Sequence, residues 1–190
     1  AAGEYLYYLN EQFPKANLTG YDVVPELLEK AKQYVPSANF LPGSVLDSKI
    51  MSEDSADIIT LLGVHGIFDD FSAILDNLLY WCKPKGTILI FGAFNPYLVD
   101  VFVQYRNIES ADATREVGWN MFSKEGVSNM LENKMGSNAF EFIPFELSFD
   151  LEPTSDDPLR TWTFKDEDGT KRFTNGLSII VNLYYLKIEV

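Results

Sequence analysis

Apolar positions along this chain follow two rhythms, a spacing of three to four residues and short unbroken runs, and the two alternate. Tyr5, Leu6, Leu9 and Phe13 predict a helix over residues 3–13. Residues 18–22 (LTGYD) predict a short buried strand. Pro25 suits the first turn of a second helix, where its missing N–H is not needed. Leu27, Leu28, Ala31 and Tyr34 give that helix an apolar stripe, and Pro36 ends it. Residues 39–41 predict a strand before a turn at Gly43. The β-branched run Ala56–Leu62 (ADIITLL) fits a strand covered on both faces. Phe71, Ile74, Leu75, Leu78 and Leu79 define a helix over Phe71–Trp81; residues 83–86 (KPKG) break it, and residues 87–91 predict the next buried strand.

Such alternation implies an α/β fold, with a doubly wound, mostly parallel sheet and helices on both faces. The second half reads differently. Residues 97–108 (YLVDVFVQYRNI) are expected to be helical, and residues 123–133 form another helix with Ser123 as cap. Residues 140–149 are strand-like and rich in Phe. Residues 161–165 and 170–174 flank DEDG at 166–169 and read as a β-hairpin. Residues 183–190 form a last strand; residues 176–182 fit neither pattern clearly.

Composition narrows the classes. The chain has 190 residues, 46 % of them apolar, which suffices for a single domain with its own core. No run approaches the ~20 apolar residues of a membrane span, so no membrane partner is expected. Residues 1–12 lack a basic end and carry Glu4 and Glu11, unlike a secretory signal. The one cysteine, Cys82, excludes an internal disulfide and fits a reducing, cytoplasmic setting. One Cys and one His leave no basis for a Cys/His metal site. The formal charge of −13 argues against nucleic acid, whose phosphates reward basic surfaces. A small-molecule substrate is expected instead.

Two positions carry candidate chemistry. Asp22 closes the strand at 18–22, and Val23 follows it as the chain turns into the next helix. In open α/β sheets ligands sit beyond the carboxyl ends of the strands, and a carboxylate there accepts hydrogen bonds from both ribose hydroxyls. In dinucleotide sites that acid lies ~20 residues after a glycine-rich turn; Gly3, in AAG at the start of the chain, has this spacing. His65, the sole histidine, directly follows the strand Ala56–Leu62, and an ordinary imidazole pKa of ~6.5 suits a general base.

In this order the signals resemble the class I S-adenosylmethionine-dependent methyltransferases. The likeness covers residues 1–95. AAGE at 1–4 resembles the end of the family's glycine loop, and Asp22 its second-strand acid. GSV at 43–45 matches the adenine-binding turn, ADIITLLGVHGIFDD at 56–70 the fourth-strand motif, and residues 82–86 with ILIFGAFNP the turn and strand that follow. The resemblance implies S-adenosylmethionine as cofactor and a Rossmann-like fold in one domain, with residues 1–95 as cofactor half and 96–190 as substrate and lid half. It implies Gly3 beside the methionine part, Asp22 and Val23 at the ribose, Ser44 and Val45 at the adenine, and backbone contacts from Leu62 and Gly63. His65 becomes the candidate base. Asn95, Tyr105, Arg106, Arg160 and Trp162 are expected to face the acceptor, with Arg160 suited to a carboxylate or phosphate.

Two departures stand out. Ser44 replaces the usual Asp of the adenine turn, and the family's first strand and most of its glycine loop are absent from the sequence, so the natural protein is expected to extend upstream. Residues 156–190 are similar to the C-terminal part of small-molecule methyltransferases, pointing to a hydroxyl of a sugar or related metabolite. The rivals are a dinucleotide-dependent oxidoreductase, which would carry G-x-G-x-x-G, and a non-catalytic binding subunit that keeps the fold.

Overall fold

A computed structural model describes residues 2–108, 114–154, 156–157 and 159–190. Ala1, assigned above to the glycine loop, lies outside the described residues. The chain separates into two compact units, Ala1–Ser52 and Glu53–Val190.

In the first unit, α1 (Glu4–Gln12) precedes β1 (Thr19–Asp22), α2 (Pro25–Tyr34) and β2 (Asn39–Pro42). Pro25 occupies the first turn of α2, as its fixed φ and missing donor dictate. β1 and β2 pair in parallel from Thr19↔Asn39 to Asp22↔Pro42, so both strands end at the same edge. Leu28, Ala31, Val35 and Phe40 form the core, with Leu6 and Ala38 packed on it. Tyr7 of α1 stacks on Tyr34 of α2 at 4.8 Å between ring centroids.

In the second unit, β3 (Ala56–Leu62) leads through a short 3-10 turn to α3 (Phe71–Trp81) and β4 (Cys82–Asn95). Asp70 caps α3, accepting hydrogen bonds from Ser72 N–H (2.8 Å) and Ala73 N–H (3.3 Å). Phe71, Ile74, Leu75, Leu78 and Trp81 are its buried face. β3 and β4 pair in parallel, with Ile59 opposite Ile88 and Leu61 opposite Ile90. The break expected at residues 83–86 lies inside β4. Ala56 pairs with Cys82 and Ile58 with Thr87, so the ladder is irregular there, and Lys85 adopts φ 68°. Cys82 is fully buried; a Cβ at Gly86 would meet its Sγ at 2.6 Å.

Residues 97–108 are not helical. They hold β5 (Gln104–Tyr105), which pairs with β6 (Glu116–Val117), and Val101 bridges Met121. Val101, Val103 and Tyr105 are half-buried while Phe102, Gln104 and Arg106 are exposed. That period of two, with three valines in five positions, belongs to a strand. β7 (Phe122–Ser123) continues into α4 (Lys124–Met135), whose Ser123 cap accepts Gly126 N–H at 3.1 Å. β8 (Phe140–Pro144) is shorter than the predicted strand and ends at its proline. β9 (Trp162–Lys165) and β10 (Lys171–Thr174) form the expected hairpin, and β11 (Ile180–Val181) adds to β10. β12 (Leu183–Glu189) runs antiparallel to both β4 and β8. The sheet order is β3-β4-β12-β8, with β7 parallel to the end of β4.

The architecture is α/β. Parallel pairing joins β1 to β2 in the first unit, and β3 to β4 and β4 to β7 in the second; the antiparallel pairings all lie after β4 in the sequence or join β4 to β12. Among the described residues, no helix is long and apolar enough to cross a membrane.

Candidate functional site

Parallel strands open their carboxyl ends to ligands because the loops there lead away from the sheet. In the first unit that edge carries Asp22 and the turn at 43–45. The Asp22 carboxylate is half-buried and accepts Val24 N–H at 2.9 Å, while its backbone carbonyl accepts Gly43 N–H at 3.1 Å. The tips of β1 and β2 are thereby tied together. Burial works to raise the Asp22 pKa, but charge and hydrogen-bond contacts, those from Val24 and Val23 N–H among them, bring it below the usual carboxylate value. Asp22 is thus an anion at neutral pH. Val23 is 66 % exposed beside it.

Gly43 has no room for a side chain: a Cβ would lie 2.9 Å from Ile50 and 3.1 Å from Tyr21. Ser44 Oγ accepts Leu46 N–H at 3.3 Å and shapes the turn, with Val45 half-buried beside it. Gly3 is buried at the start of α1 with φ 97°, and a Cβ there would press on Ala31 at 3.1 Å. This is a position that only glycine fills without strain.

In the second unit the edge beyond β3 and β4 carries the other candidates. Leu62 ends β3. Gly63 has φ 72°, donates its N–H to Phe91 O at 2.8 Å, and a Cβ on it would meet nothing within 4 Å. Open space beside a left-handed glycine is what close backbone approach by a ligand requires.

His65 is not placed as a general base. It is 1 % exposed, and its Nε2–H donates to Ala93 O at 3.1 Å. Its ring stacks on Phe94 at 4.6 Å and meets Phe71 edge-on at 5.9 Å. Nδ1 is buried without a partner. Burial lowers its pKa to about 4, the bond to Ala93 opposing only in part. This is a neutral core histidine, and the substrate-side role expected of it gives way to packing.

Asn95 is likewise occupied. At 8 % exposure, its Oδ1 accepts Tyr97 N–H (3.2 Å) and its Nδ2 donates to Val99 O (2.8 Å), so it builds the turn after β4. Tyr105 OH donates to Glu116 Oε2 at 2.8 Å; that bond, then burial and the charges of Glu116 and Asp157, raise its pKa. Arg106 and Arg160 are exposed, and Arg160 N–H donates to Asp157 O at 3.1 Å. Trp162 is half-buried on β9, opposite Thr174. The charge of Asp157 reaches Tyr105 only as a small contribution to its raised pKa, and among the described residues no ion pair or hydrogen bond joins Tyr105, Arg160 and Trp162.

Two residues that matter here carry no expectation above. Gly92 makes room for the His65 ring, since a Cβ would sit 2.4 Å from its Cε1; a glycine inside an apolar strand is the signal. Asn120 is 1 % exposed and fully hydrogen-bonded across three segments. No local pattern marks it. Among the described residues, no group of three or more His, Cys, Asp or Glu side chains is arranged to hold a metal ion.

The fold is Rossmann-like, as in the methyltransferase structures on which the chain superposes. Over 100 % of its length the chain superposes on 88 % of a Methanosarcina mazei protein described as a SAM-dependent methyltransferase, with TM-score 0.60 and 12 % identity. It covers 78 % of a chain from the complex of the Haloferax volcanii Trm112 methyltransferase activator with a putative methyltransferase (99 % of this chain, TM-score 0.62, 15 % identity). It also covers 68 % of the Burkholderia thailandensis 1,6-didemethyltoxoflavin-N1-methyltransferase, a structure holding that compound and S-adenosylhomocysteine (100 % of this chain, TM-score 0.54, 14 % identity). No curated protein sequence matches significantly. Residues 1–88, a little under half of the chain, match a family model described as "Methyltransferase domain".

Proposed function

We propose that the protein transfers a methyl group from S-adenosylmethionine to a small-molecule acceptor in the cytoplasm, at a hydroxyl of a sugar or related metabolite. The single observation that carries the cofactor is Asp22: an anion, at the carboxyl end of a parallel strand, fixed by Val24 N–H and joined through Gly43 to the next strand tip. A ribose offers two hydroxyl donors, and a carboxylate offers acceptors only. In this reading Asp22 takes the ribose hydroxyls with Val23 beside it. Ser44 and Val45 border the adenine, and Gly3, Leu62 and Gly63 present backbone to the methionine part.

When bound, S-adenosylmethionine supplies an activated methyl for in-line displacement, and the chain's share is to hold, orient and keep water out. Tyr105, Arg106, Arg160 and Trp162 are the acceptor-side residues in this reading, with Arg160 meeting any anionic group. The net charge of −13 supports a small acceptor over nucleic acid, and the Burkholderia neighbour is itself named for a small heterocycle.

The test is calorimetric titration with S-adenosylhomocysteine. Asp22→Ala is expected to weaken binding by about 10- to 100-fold, the worth of hydrogen bonds to a charged group. Unchanged affinity removes Asp22 from the site, and no binding by the unmodified protein removes the cofactor. Release of S-adenosylhomocysteine with sugars in the assay supports the acceptor class; release with nucleic acid alone overturns it.

A further inference from the structure

The loop after β3 is held from two sides. On one side Gly63 N–H donates to Phe91 O, and His65 Nε2–H donates to Ala93 O. On the other side a single residue does the holding. Asn120 N–H donates to Gly66 O at 2.8 Å, and its Nδ2 donates to Phe68 O at 3.0 Å and Asp69 Oδ1 at 2.9 Å. Its Oδ1 meanwhile accepts Val103 N–H at 2.9 Å. A carboxamide has two donor hydrogens and one acceptor oxygen, and all are used. Gly66 shows how close the approach is: a Cβ there would lie 2.9 Å from Asn120 O.

The two ends of this clamp have different roles. Residues 66–69 continue the loop that begins at Gly63. Val103 belongs to the extended segment that runs into Tyr105 and Arg106, further secured by Gly118 N–H on Val103 O (2.7 Å) and by the Val101↔Met121 bridge. Within this unit, Asn120 is where the acceptor-side segment and the cofactor-side loop share one side chain.

We infer that Asn120 is a positioning residue: its carboxamide sets the loop at residues 63–69 against the segment at 101–106, and so sets the backbone that Leu62 and Gly63 present to the cofactor. The inference rests on the methyltransferase reading above. Buried side-chain networks of this kind transmit a change at one member to all, and pairs within them couple strongly. Asn120→Asp keeps the size and the bond from Val103 but loses both donors, and sets a second carboxylate against Asp69.

The experiment compares wild type, Asn120→Asp, Asp69→Asn and the exchanged pair Asn120→Asp/Asp69→Asn. In the exchanged pair, the amide at 69 again donates to an acceptor at 120. S-adenosylhomocysteine affinity is measured by calorimetry well below every variant's melting temperature, beside amide hydrogen exchange of the peptides covering 63–70. Asn120→Asp is expected to weaken binding about tenfold and to speed exchange across 63–70, and the exchange of residues is expected to recover part of both, the bond to Phe68 O staying lost. A role confined to stability would lower the melting temperature and leave the affinity of the folded protein unchanged, which overturns the inference. An affinity loss that the exchanged pair does not recover even in part overturns it as well. Wild type that fails to bind the probe sinks the cofactor reading; the hydrogen-exchange arm still decides whether Asn120 holds the loop.

Discussion

Replacing Gly92 by alanine tests the packing around His65 most directly. The added Cβ would stand 2.4 Å from His65 Cε1, 3.1 Å from Nδ1 and 3.3 Å from Nε2. Carbon atoms rest at about 3.5–4.0 Å, so ring or strand must move by more than about 1 Å. The ring has nowhere to go, stacked on Phe94 at 4.6 Å and edge-on to Phe71 at 5.9 Å. The strand is held too, since Gly92 pairs with Tyr184 and the preceding Phe91 with Leu62. Overpacking of this kind costs about 1–3 kcal/mol, and losing the bond from Nε2–H to Ala93 O adds about 1 kcal/mol. With a urea slope of about 2–3 kcal/mol/M, the unfolding midpoint is expected to fall by about 1 M. The decisive comparison is a double-mutant cycle. His65→Ala alone opens a cavity at a cost of about 3 kcal/mol, but it also frees the space the alanine methyl needs. The pair is expected to cost about 1–3 kcal/mol less than the two single changes together. An unchanged midpoint for Gly92→Ala, or strict additivity in the cycle, refutes the reasoning.

Further outcomes are expected. His65 is neutral in the folded protein, its pKa lowered by burial from 6.5 to about 4. The unfolded chain therefore binds more protons between those values. The stabilising contribution is complete above about pH 6.5 and is lost as pH falls toward 4, by about 3 kcal/mol; urea midpoints from pH 7 to 4.5 should show this fall, and His65→Phe should flatten it. Ser123→Ala removes the cap on Gly126 N–H, and Asp70→Ala the cap on Ser72 and Ala73 N–H. Each is expected to lower stability by about 1 kcal/mol in the same denaturation assay. Asp22→Ala and the Asn120/Asp69 series are to be read by S-adenosylhomocysteine titration, as above.

Legibility in the sequence followed the locality of the forces. Phe71–Trp81 was readable to the residue because burial imposes a 3.6-residue stripe; Ala56–Leu62 was readable from its β-branched residues, although only Leu61 is buried and Ile58 is exposed rather than covered on both faces. Pro25 and Ser123 announced helix starts through the chemistry of the first turn alone. The segment 97–108 misled because its apolar residues are dense enough to satisfy a helical template as well. What decides it is remote pairing: Val101 with Met121, and Val103 with the Asn120 side chain. β4 overran its predicted start because Cys82 finds Ala56 across the ladder despite the KPKG sequence.

The site divides the same way. The place of Asp22 at a strand tip was legible because a strand end and a carboxylate are both local facts. His65 was legible in position but not in role: its burial depends on Phe71, Phe94 and the missing side chain of Gly92, which sequence spacing does not bring together. Asn95 was expected to face the acceptor, and its hydrogen bonds to Tyr97 N–H and Val99 O turn it back on its own chain.

Cys82, the only thiol in the chain, is sealed between the end of α3 and the first rung of β4. Burial, then the charges of Asp54, Asp57 and Glu189, hold its pKa above the usual thiol value. Under native conditions it is a silent sulfur, because the thiolate is the reactive form. A cysteine introduced elsewhere would thus take a fluorophore or spin label without a competing background. The native sulfur in turn becomes an intrinsic stopwatch: the rate at which a thiol reagent captures it reports how often the β3–β4 junction opens.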